Sequence, residues 1–347
     1  MKILSRYILK EISPLFVISN AFVIFILLFE KLVELASLFF AKNISGLLIL
    51  ETILFYVPSF LVISIPISSL IAPMVAFSRF SSDSELVVMR ASGASNVWFL
   101  KVIASIGFFF FLISLTVSLW LMPLGNELSI NNLKQIAKNI TVEDIKENEI
   151  YSEIPGILML IEEKFDKNSF KNIMIYKESS DLILTGESGR IFSTGEGSLI
   201  FELKNGEIIS SKTQGVFTKI LFEKFLLNLE VNIDKVVSSK DERIMKMSDL
   251  KKNFDKGNMY KFEYSKRFAL PFSSLIMAVF GMTLGAFLKR GGRSANILGA
   301  FLVIFLYNLI LIFSENIART SYPFLSAWYG NICFGILTAF FYKRFKI

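Results

Sequence analysis

The chain has 347 residues, of which 53% are hydrophobic and 19% are charged, and Lys and Arg (37) exceed Asp and Glu (30) by seven. With no histidine and one cysteine, Cys333, the sequence excludes a Ser-His-Asp triad, a histidine-ligated zinc, an internal disulfide and a cysteine metal cluster. No GxxxxGK[ST] loop occurs, so no P-loop ATP site is expected. We therefore predict a chain that is not an enzyme, with no catalytic residues, metal ligands or cofactor of its own.

The charged residues are unevenly distributed along the chain. Residues 124–262 hold 20 of the Lys and Arg and 22 of the Asp and Glu, for a net charge of −2, while the remaining 208 residues carry a net charge of +9. The positive excess thus lies in hydrophobic flanks and does not form the basic patch typical of nucleic-acid binding. This layout predicts a membrane protein with an inserted soluble domain and no nucleic-acid partner.

Six apolar stretches in the flanks are long enough to cross a bilayer, which takes about 20 residues. They are Ile12–Phe29, Leu47–Phe77, Trp98–Pro123, Phe268–Leu288, Ala295–Ser314 and Ala327–Phe341. We therefore predict three membrane spans within residues 1–123, an inserted domain at 124–262, and three further spans within 263–347.

Basic residues between the spans predict the orientation. Four clusters carry most of the positive charge of the flanks: Lys2, Arg6 and Lys10; Arg79, Arg90 and Lys101; Lys289, Arg290 and Arg293; and Lys343, Arg344 and Lys346. All four fall on one side when six helices are threaded alternately, and the positive-inside rule places that side in the cytoplasm. Both termini are predicted to be cytoplasmic and residues 124–262 to lie outside.

The inserted domain carries a β pattern from about Glu149 to Ile233. Candidate strands are Leu158–Glu162, Ile173–Lys177, Leu182–Thr185, Arg190–Ser193, Leu199–Leu203 and Glu207–Ser211. Asn205-Gly206 predicts a hairpin turn between the last two, and strict alternation of apolar residues from Phe225 onward predicts a half-buried strand. Short strands at this spacing favour an antiparallel sandwich or roll.

A short cytoplasmic segment, SRFSSDSELVVMRASG, predicts a helix over about residues 82–93. Ser82 followed three residues later by Glu85 matches a capping box, and Gly93 fits a helix end. Glu85 has two compatible interpretations: it satisfies backbone N–H groups at the helix start, or it also faces a cytoplasmic partner. A short amphipathic helix held between two spans can transmit a partner's movement to both of them.

Five segments together carry a resemblance to a known family. They are RYILKE (6–11), FEKLVEL (29–35), SELVVMRASGAS (84–95), EYSKRFALPF (263–272) and GMTLGAFLKRGGRS (281–294). This combination resembles the LptF/LptG (YjgP/YjgQ) permeases, and the first two segments are more similar to LptF. The resemblance implies an α-helical membrane protein with six transmembrane helices and an inserted all-β, jellyroll-like periplasmic domain.

The resemblance also implies a function and partners. Such a chain is a permease subunit of an ABC-type lipopolysaccharide exporter in the bacterial inner membrane, with its first and fifth helices as lateral gates. It extracts the glycolipid from the outer leaflet and passes it to the periplasmic β-domain. Its implied partners are an LptG-like second permease, an LptB-like ATPase dimer that uses ATP, and LptC/LptA-like periplasmic proteins. The implied coupling helix docks on the ATPase through Glu85, Leu86, Met89, Arg90 and Gly93.

Four cations on the predicted outer side are candidate contacts for an anionic lipid. Lys31 either snorkels and pairs with Glu34 at i+3, or meets a lipid A phosphate. Lys266 and Arg267 either anchor in the headgroups or contribute to an anionic-lipid surface, and Arg319 has the same two interpretations.

Two rival functions remain at this point. One is a membrane-anchored mechanotransmitting or structural envelope protein whose outer domain binds a partner. The other is an ion-driven secondary transporter, which requires an ionisable residue near the bilayer midplane. Apart from interfacial Glu51 the spans offer no such residue, so the second rival ranks low. The carried glycolipid and the choice between heterodimer and homodimer stay open.

Overall fold

The computed structural model describes residues 2–34, 46–138, 147–151, 157–166, 168–177, 182–193, 198–213, 216–230, 242–287 and 292–344. The chain divides into two compact units. The helical unit comprises Met1–Lys31, Leu54–Glu127 and Lys240–Ile347, and the second unit comprises Leu32–Ile53 and Leu128–Ser239.

The helices are numbered in chain order. They are α1 (Lys2–Glu34), α2 (Gly46–Ser82), α3 (Glu85–Ala91), α4 (Asn96–Thr116), α5 (Met122–Lys138), α6 (Met247–Lys252), α7 (Asn258–Phe287), α8 (Gly292–Thr320), α9 (Pro323–Ser326) and α10 (Tyr329–Arg344). A π-helical turn, Val117–Leu121, joins α4 to α5, and a 3-10 turn, Phe254–Lys256, follows α6.

Five stretches of the described residues are long and apolar enough to cross a membrane. They are Lys2–Val33, Gly46–Ser82, Asn96–Leu133, Asn258–Phe287 and Leu298–Thr320. These coincide with the first five predicted spans, although Leu288 of the fourth lies outside the described residues. The helix of the sixth, α10, has 16 residues, about 24 Å at 1.5 Å per residue. That falls short of a hydrocarbon core of about 30 Å, so the sixth span stays a prediction.

Helix α7 packs against α2 with almost no side chain between the two backbones. A Cβ atom added to Gly281 would lie 2.3 Å from the carbonyl oxygen of Leu70, and one added to Gly285 would lie 2.1 Å from that of Met74. The two glycines are four residues apart and so share one helix face, which is the small-xxx-small arrangement that lets membrane helices approach closely. Gly107 of α4 also lies close to α7, where an added Cβ would lie 2.9 Å from Cβ of Ala278 and 3.2 Å from Cα of Leu275.

Apolar side chains of five helices form one core at the end of the bundle that carries both chain termini, the terminal end. The core combines Ile8 and Ile12 of α1, Phe77 and Phe80 of α2, Leu86 and Met89 of α3, Phe99 and Ile103 of α4, and Met282 and Ala286 of α7. Leu4 and Tyr342 pack on this core from the two ends of the chain. The opposite end, where the chain leaves the helical unit at Glu127 and returns at Lys240, is the insert end.

The π-helical turn lies directly before a proline. Pro123 has no backbone N–H, so the carbonyl of Leu119 lacks its usual helical donor, and the N–H of Met122 reaches back to the carbonyl of Val117. The helix nevertheless continues, and it carries a tryptophan near each end of its apolar part. Trp120, in the π turn, is 63% exposed, whereas Trp98 is packed against the terminal-end core.

The inserted residues form one antiparallel sheet. Its strands are β1 (Ile150–Tyr151), β2 (Ile157–Asp166), β3 (Ser169–Lys177), β4 (Leu182–Ser193), β5 (Ser198–Thr213) and β6 (Val216–Glu230), and each strand pairs with the next in sequence. The predicted antiparallel β-domain is present. The connections between the described strands are up-and-down, whereas a jelly roll is built from Greek keys.

Two pairs of predicted short strands are single long strands, and the predicted hairpin turn is wrong. Asn205-Gly206 lies inside β5, where Gly206 pairs with Gly186 of β4 and with Phe222 of β6. Asn205 has a φ of 50°, the left-handed conformation that Asn tolerates. A Cβ on Gly206 would lie 1.9 Å from the carbonyl oxygen of Thr185. Strand β5 therefore continues through the Asn-Gly pair, because pairing on both sides overrides its turn preference.

One face of the sheet is apolar and buried. Its core consists of Tyr151, Ile157, Met159, Ile161, Phe170, Ile173, Ile175, Leu184, Ile191, Phe201 and Leu203. In β6, Phe225 and Leu227 pack on this core while Leu226 is 60% exposed, which confirms the alternation in the described part of that strand. The predicted continuation to Ile233 lies outside the described residues.

We predict that Gly285→Ala destabilises the helical unit by about 1–3 kcal/mol, the usual cost of overpacking. The new methyl group has to push α7 away from the carbonyl of Met74. Thermal unfolding of the detergent-purified protein measures the change. Gly335→Ala in α10 is the matched control, because a Cβ there meets no atom of the described residues within 4 Å. An unchanged unfolding temperature for Gly285→Ala would contradict the packing described for α7.

Candidate functional site

A cavity of about 400 Å³ opens between α2, α7 and α8 in the helical unit, within the usual size range of ligand sites. Its deeper wall is apolar and contains Pro66, Leu70, Met277, Val303 and Ile304. Toward the insert end its lining becomes polar, with Ser59, Asn126, Arg243, Glu263, Lys266 and Glu315. The cavity is therefore amphipathic along its length, apolar toward the terminal end and charged at the insert end.

Ion pairs organise the charged rim of the cavity. Arg243 donates a hydrogen bond of 3.1 Å from Nη2 to Oε1 of Glu315, and Arg319 Nη2 lies 3.7 Å from the same oxygen. Lys266 Nζ lies 3.6 Å from Oε2 of Glu263. Together with Arg267, whose Nε lies 3.6 Å from Glu263, four cations of the described residues face two carboxylates, which leaves two positive charges in excess. A rim of this composition can accept an anionic group through ammonium and guanidinium donors.

The structure separates the neighbouring candidates Lys266 and Arg267. Lys266 lines the cavity, as a lipid contact has to. Arg267 is 1% exposed, and its Nη2 donates to the backbone carbonyls of Glu242 and Arg243 at 3.4 and 3.1 Å. Its Nε lies 3.6 Å from Glu263. This placement gives Arg267 a structural role, because it fastens the chain segment that precedes α6 and offers no surface to a headgroup.

The other two predicted lipid contacts occupy different positions. Arg319 is at the insert end of α8 and joins the rim network through Glu315. Lys31, near the C-terminal end of α1, is half-buried, and its ammonium lies 4.6 Å from the centre of the Tyr56 ring on α2. That geometry is a cation–π contact. The side chain of Glu34, its predicted partner, lies outside the described residues.

Helix α3 presents a different face from the one predicted to dock. Leu86 and Met89 are 2% and 5% exposed and belong to the terminal-end core. Val87 and Val88 are 53% and 65% exposed and form the outward face. A partner that binds α3 therefore meets the two valines, while the leucine and methionine hold the helix on its own bundle.

The ends of α3 only partly match the prediction. Gly93 has a φ of 92° and follows the helix, as predicted. The capping box is wrong: Ser82 is the last residue of α2, and Ser84, at the N-cap with a φ of 62°, makes no side-chain cap hydrogen bond. Ser81 is buried and donates to the carbonyl of Ala286, so packing on α7 keeps α2 helical through this point. Arg90 lies near the C-terminal end of the seven-residue helix, where burial lowers the pKa of its guanidinium.

Glu85 contacts the chain's own helices at the terminal end. The Tyr7 hydroxyl of α1 donates to its Oε2 at 2.9 Å, and Arg79 Nη2 of α2 lies 4.0 Å from its Oε1. Arg79 also forms an ion pair with Glu11. The side chains that surround Glu85 thus join three helices.

Several residues of these sites were not identified from the sequence. Tyr7 and Glu11 lie in the RYILKE segment, and their spacing of four residues, one helical turn, is the signal that could have placed them on one face. Arg243 carries no such signal, because it lies in a charged stretch that resembles an ordinary soluble surface. Tyr307 and Asn308 line the cavity from within an apolar span.

Comparison with known proteins adds the family. An uncharacterized protein of Rickettsia prowazekii (strain Madrid E) is 22% identical over 177 residues, which is 51% of this chain and 49% of that protein. This chain therefore covers about half the length of that curated relative. The family described as lipopolysaccharide export system permease LptF/LptG matches residues 6–344, nearly the whole chain. The chain belongs to the LptF/LptG family of lipopolysaccharide export permeases, which makes it a multi-pass protein of the inner membrane.

Proposed function

We propose that this chain is an LptF-like permease subunit of an ABC-type exporter. It takes lipopolysaccharide from the outer leaflet of the inner membrane and passes it to its own β-domain. A separate cytoplasmic ATPase supplies the energy, and a second permease completes the membrane part. In the proposed membrane orientation the terminal end is cytoplasmic, and the insert end and the β-domain are periplasmic.

The observation that carries this proposal is the amphipathic cavity between α2, α7 and α8. A lipopolysaccharide molecule has negatively charged phosphates above apolar acyl chains. Lys266 and Arg243 stand at the charged rim, and Leu70, Met277 and Val303 lie deeper in the apolar part. The order of charged and apolar lining along the cavity matches the order of groups in such a lipid. A lysine ammonium acts as a point-charge ligand for a phosphate, and the apolar wall removes the acyl chain from water.

Helix α3 supports the proposed link to an ATPase. Its outward face carries Val87 and Val88, although α3 lies outside the candidate membrane spans. Burying such side chains against a partner contributes roughly 25 cal/mol per Å² of apolar surface. Glu85, Leu86, Met89, Arg90 and Gly93 act in this proposal by shaping and holding the helix. Lys31 and Arg319 act as secondary contacts for the lipid, and periplasmic Lpt components receive it.

A photoreactive amino acid in the cavity tests the lipid assignment. Introduced in place of Ile312, which lines the cavity and is 59% exposed, it is expected to crosslink to lipopolysaccharide in membranes of cells that make it. The control is the same amino acid in place of Ile336 on α10, which is 66% exposed and outside the cavity lining.

Equal capture at Ile312 and Ile336 would mean that the lipid only surrounds the protein, and no capture at either would favour the structural envelope protein. Adding Lys266→Glu to the Ile312 probe is expected to reduce the crosslink several-fold, because the rim then lacks a phosphate ligand.

We predict that Val88→Asp prevents association with the ATPase while leaving the fold intact. A charge on an exposed face changes stability by less than about 0.5 kcal/mol, but it cannot be buried against a partner without a large cost. The measurement is co-purification of the ATPase together with the unfolding temperature. Ile220→Asp on β6, a β-branched residue of similar exposure at 53%, is the control.

Leu86→Ala is expected to behave in the opposite way. Removing this buried side chain costs about 2–5 kcal/mol of stability. We therefore expect a lower unfolding temperature as its main effect, ahead of any loss of association with the ATPase. If the ATPase binds Val88→Asp as tightly as the unmodified chain, α3 is not the docking element.

A further inference from the structure

The buried side chains of α1 lie near its terminal end. Among residues 2–33, whose exposure the structure describes, Ile8 and Ile12 are the two buried positions, and both have no exposed surface. Higher in the helix, Val17, Ile18 and Phe22 are 63–66% exposed. Farther along, Phe16 stacks on Phe110 with ring centres 3.8 Å apart, Asn20 Nδ2 donates to Ser64 Oγ at 3.1 Å, and Lys31 lies over Tyr56. Helix α1 is therefore buried at one end and held along the rest of its length by less buried contacts.

The residues that hold α1 also contact α3. Ile8 and Ile12 share the terminal-end core with Leu86 and Met89, the inward face of α3. The inward face of α3 is thus part of the surface against which α1 packs. A displacement of α3 therefore changes the packing surface of α1 directly.

A polar bridge connects the same helices. The Tyr7 hydroxyl donates to Glu85 Oε2 at 2.9 Å and accepts a hydrogen bond from Arg79 Nη2 at 3.3 Å. Arg79 pairs closely with Glu11, whereas its guanidinium is 4.0 Å from Glu85. Arg79 therefore ties α1 to α2, and the Tyr7 hydroxyl is the nearer polar contact of Glu85, the one that ties α1 to α3.

We propose that Tyr7 is a positioning residue that makes α1 follow α3, so that movement of α3 tilts α1 about its terminal end. The inference rests on the proposed function, since the ATPase is what moves α3. From Tyr7 to Phe25 the helix rises about 27 Å, so a tilt of about 10° displaces Phe25 by about 5 Å. The same tilt displaces Lys31 relative to Tyr56 on α2, which opens or closes the outer edge between the two helices.

The test uses the complete exporter, with the second permease and the ATPase, reconstituted in vesicles that contain lipopolysaccharide. Spin labels are placed on Phe25→Cys of α1 and Leu54→Cys of α2, which are 65% and 55% exposed, after Cys333→Ser removes the native exposed thiol. Double electron–electron resonance measures the distance between the labels with and without ATP. Tyr7→Phe deletes only the hydroxyl, and Tyr322→Phe, at a tyrosine that is 70% exposed at the insert end, is the matched control.

We expect an ATP-dependent distance change of about 5 Å with native Tyr7 and with Tyr322→Phe, which is the displacement of Phe25 for a tilt of about 10°. In Tyr7→Phe we expect less than half of this change. Lipid export per ATP hydrolysed should fall at least about five-fold, the lower end of usual coupling factors. Capture of the ATPase and the unfolding temperature should stay unchanged, because Tyr7 is no part of the outward face of α3.

Three results would overturn the inference in different ways. If the complex with native Tyr7 changes its distance with ATP and Tyr7→Phe keeps the full change, Tyr7 does not link the helices and the inference alone fails. If no ATPase associates, or no distance change occurs with native Tyr7, the proposed function fails and the inference fails with it. A lower unfolding temperature in Tyr7→Phe with an intact distance change identifies a purely stabilising hydroxyl and also rejects the link.

Discussion

The close approach of α7 to α2 is the contact on which the helical unit depends. Gly281 and Gly285 place no side chain between the helices, so backbone meets backbone over more than one turn. Helix α7 then serves two sites at once: Met282 packs in the terminal-end core that seats α3, and Lys266 stands at the rim of the cavity. Wider spacing at the glycines would both loosen the packing of α3 and change the shape of the cavity. Membrane helices gain little from apolar burial against one another, which makes such close packing the main source of order.

The sequence predicts the helical part of the fold well for a physical reason. A bilayer requires a spanning segment to satisfy its own backbone hydrogen bonds, so length and apolarity alone identify a helix. The β-domain is different, because pairing between distant strands overrides local preference. Asn205-Gly206 has the composition of a tight turn, yet β4 and β6 pair with β5 on both sides of it. The capping box predicted from Ser82 and Glu85 fails for a related reason. The local pattern does not show that Ser81 is buried against α7, and this burial extends α2 through Ser82.

Charge and apolarity in the sequence predicted which residues belong to the candidate sites, but not which way their side chains face. Sequence shows that Lys266 and Arg267 are adjacent cations, and only the fold shows that one lines a cavity while the other is buried against backbone carbonyls. The same holds on α3, where Leu86 and Val88 are both apolar but face opposite ways. Arg243 lies outside the apolar stretches, and it reaches the cavity because the chain returns to the bundle there.

The two tryptophans of α4 and its π turn have a consequence for the surrounding lipid. Trp98 and Trp120 are 22 residues apart in sequence, about 33 Å along the axis, which brackets a hydrocarbon core of about 30 Å. Tryptophan favours the headgroup level, so this pair fixes the height of the helix in the bilayer. A thinner or thicker membrane creates hydrophobic mismatch, which a helix relieves by tilting. Because Gly107 packs this helix closely against α7, such a tilt also shifts α7, and the thickness of the membrane thereby affects the packing of the whole bundle.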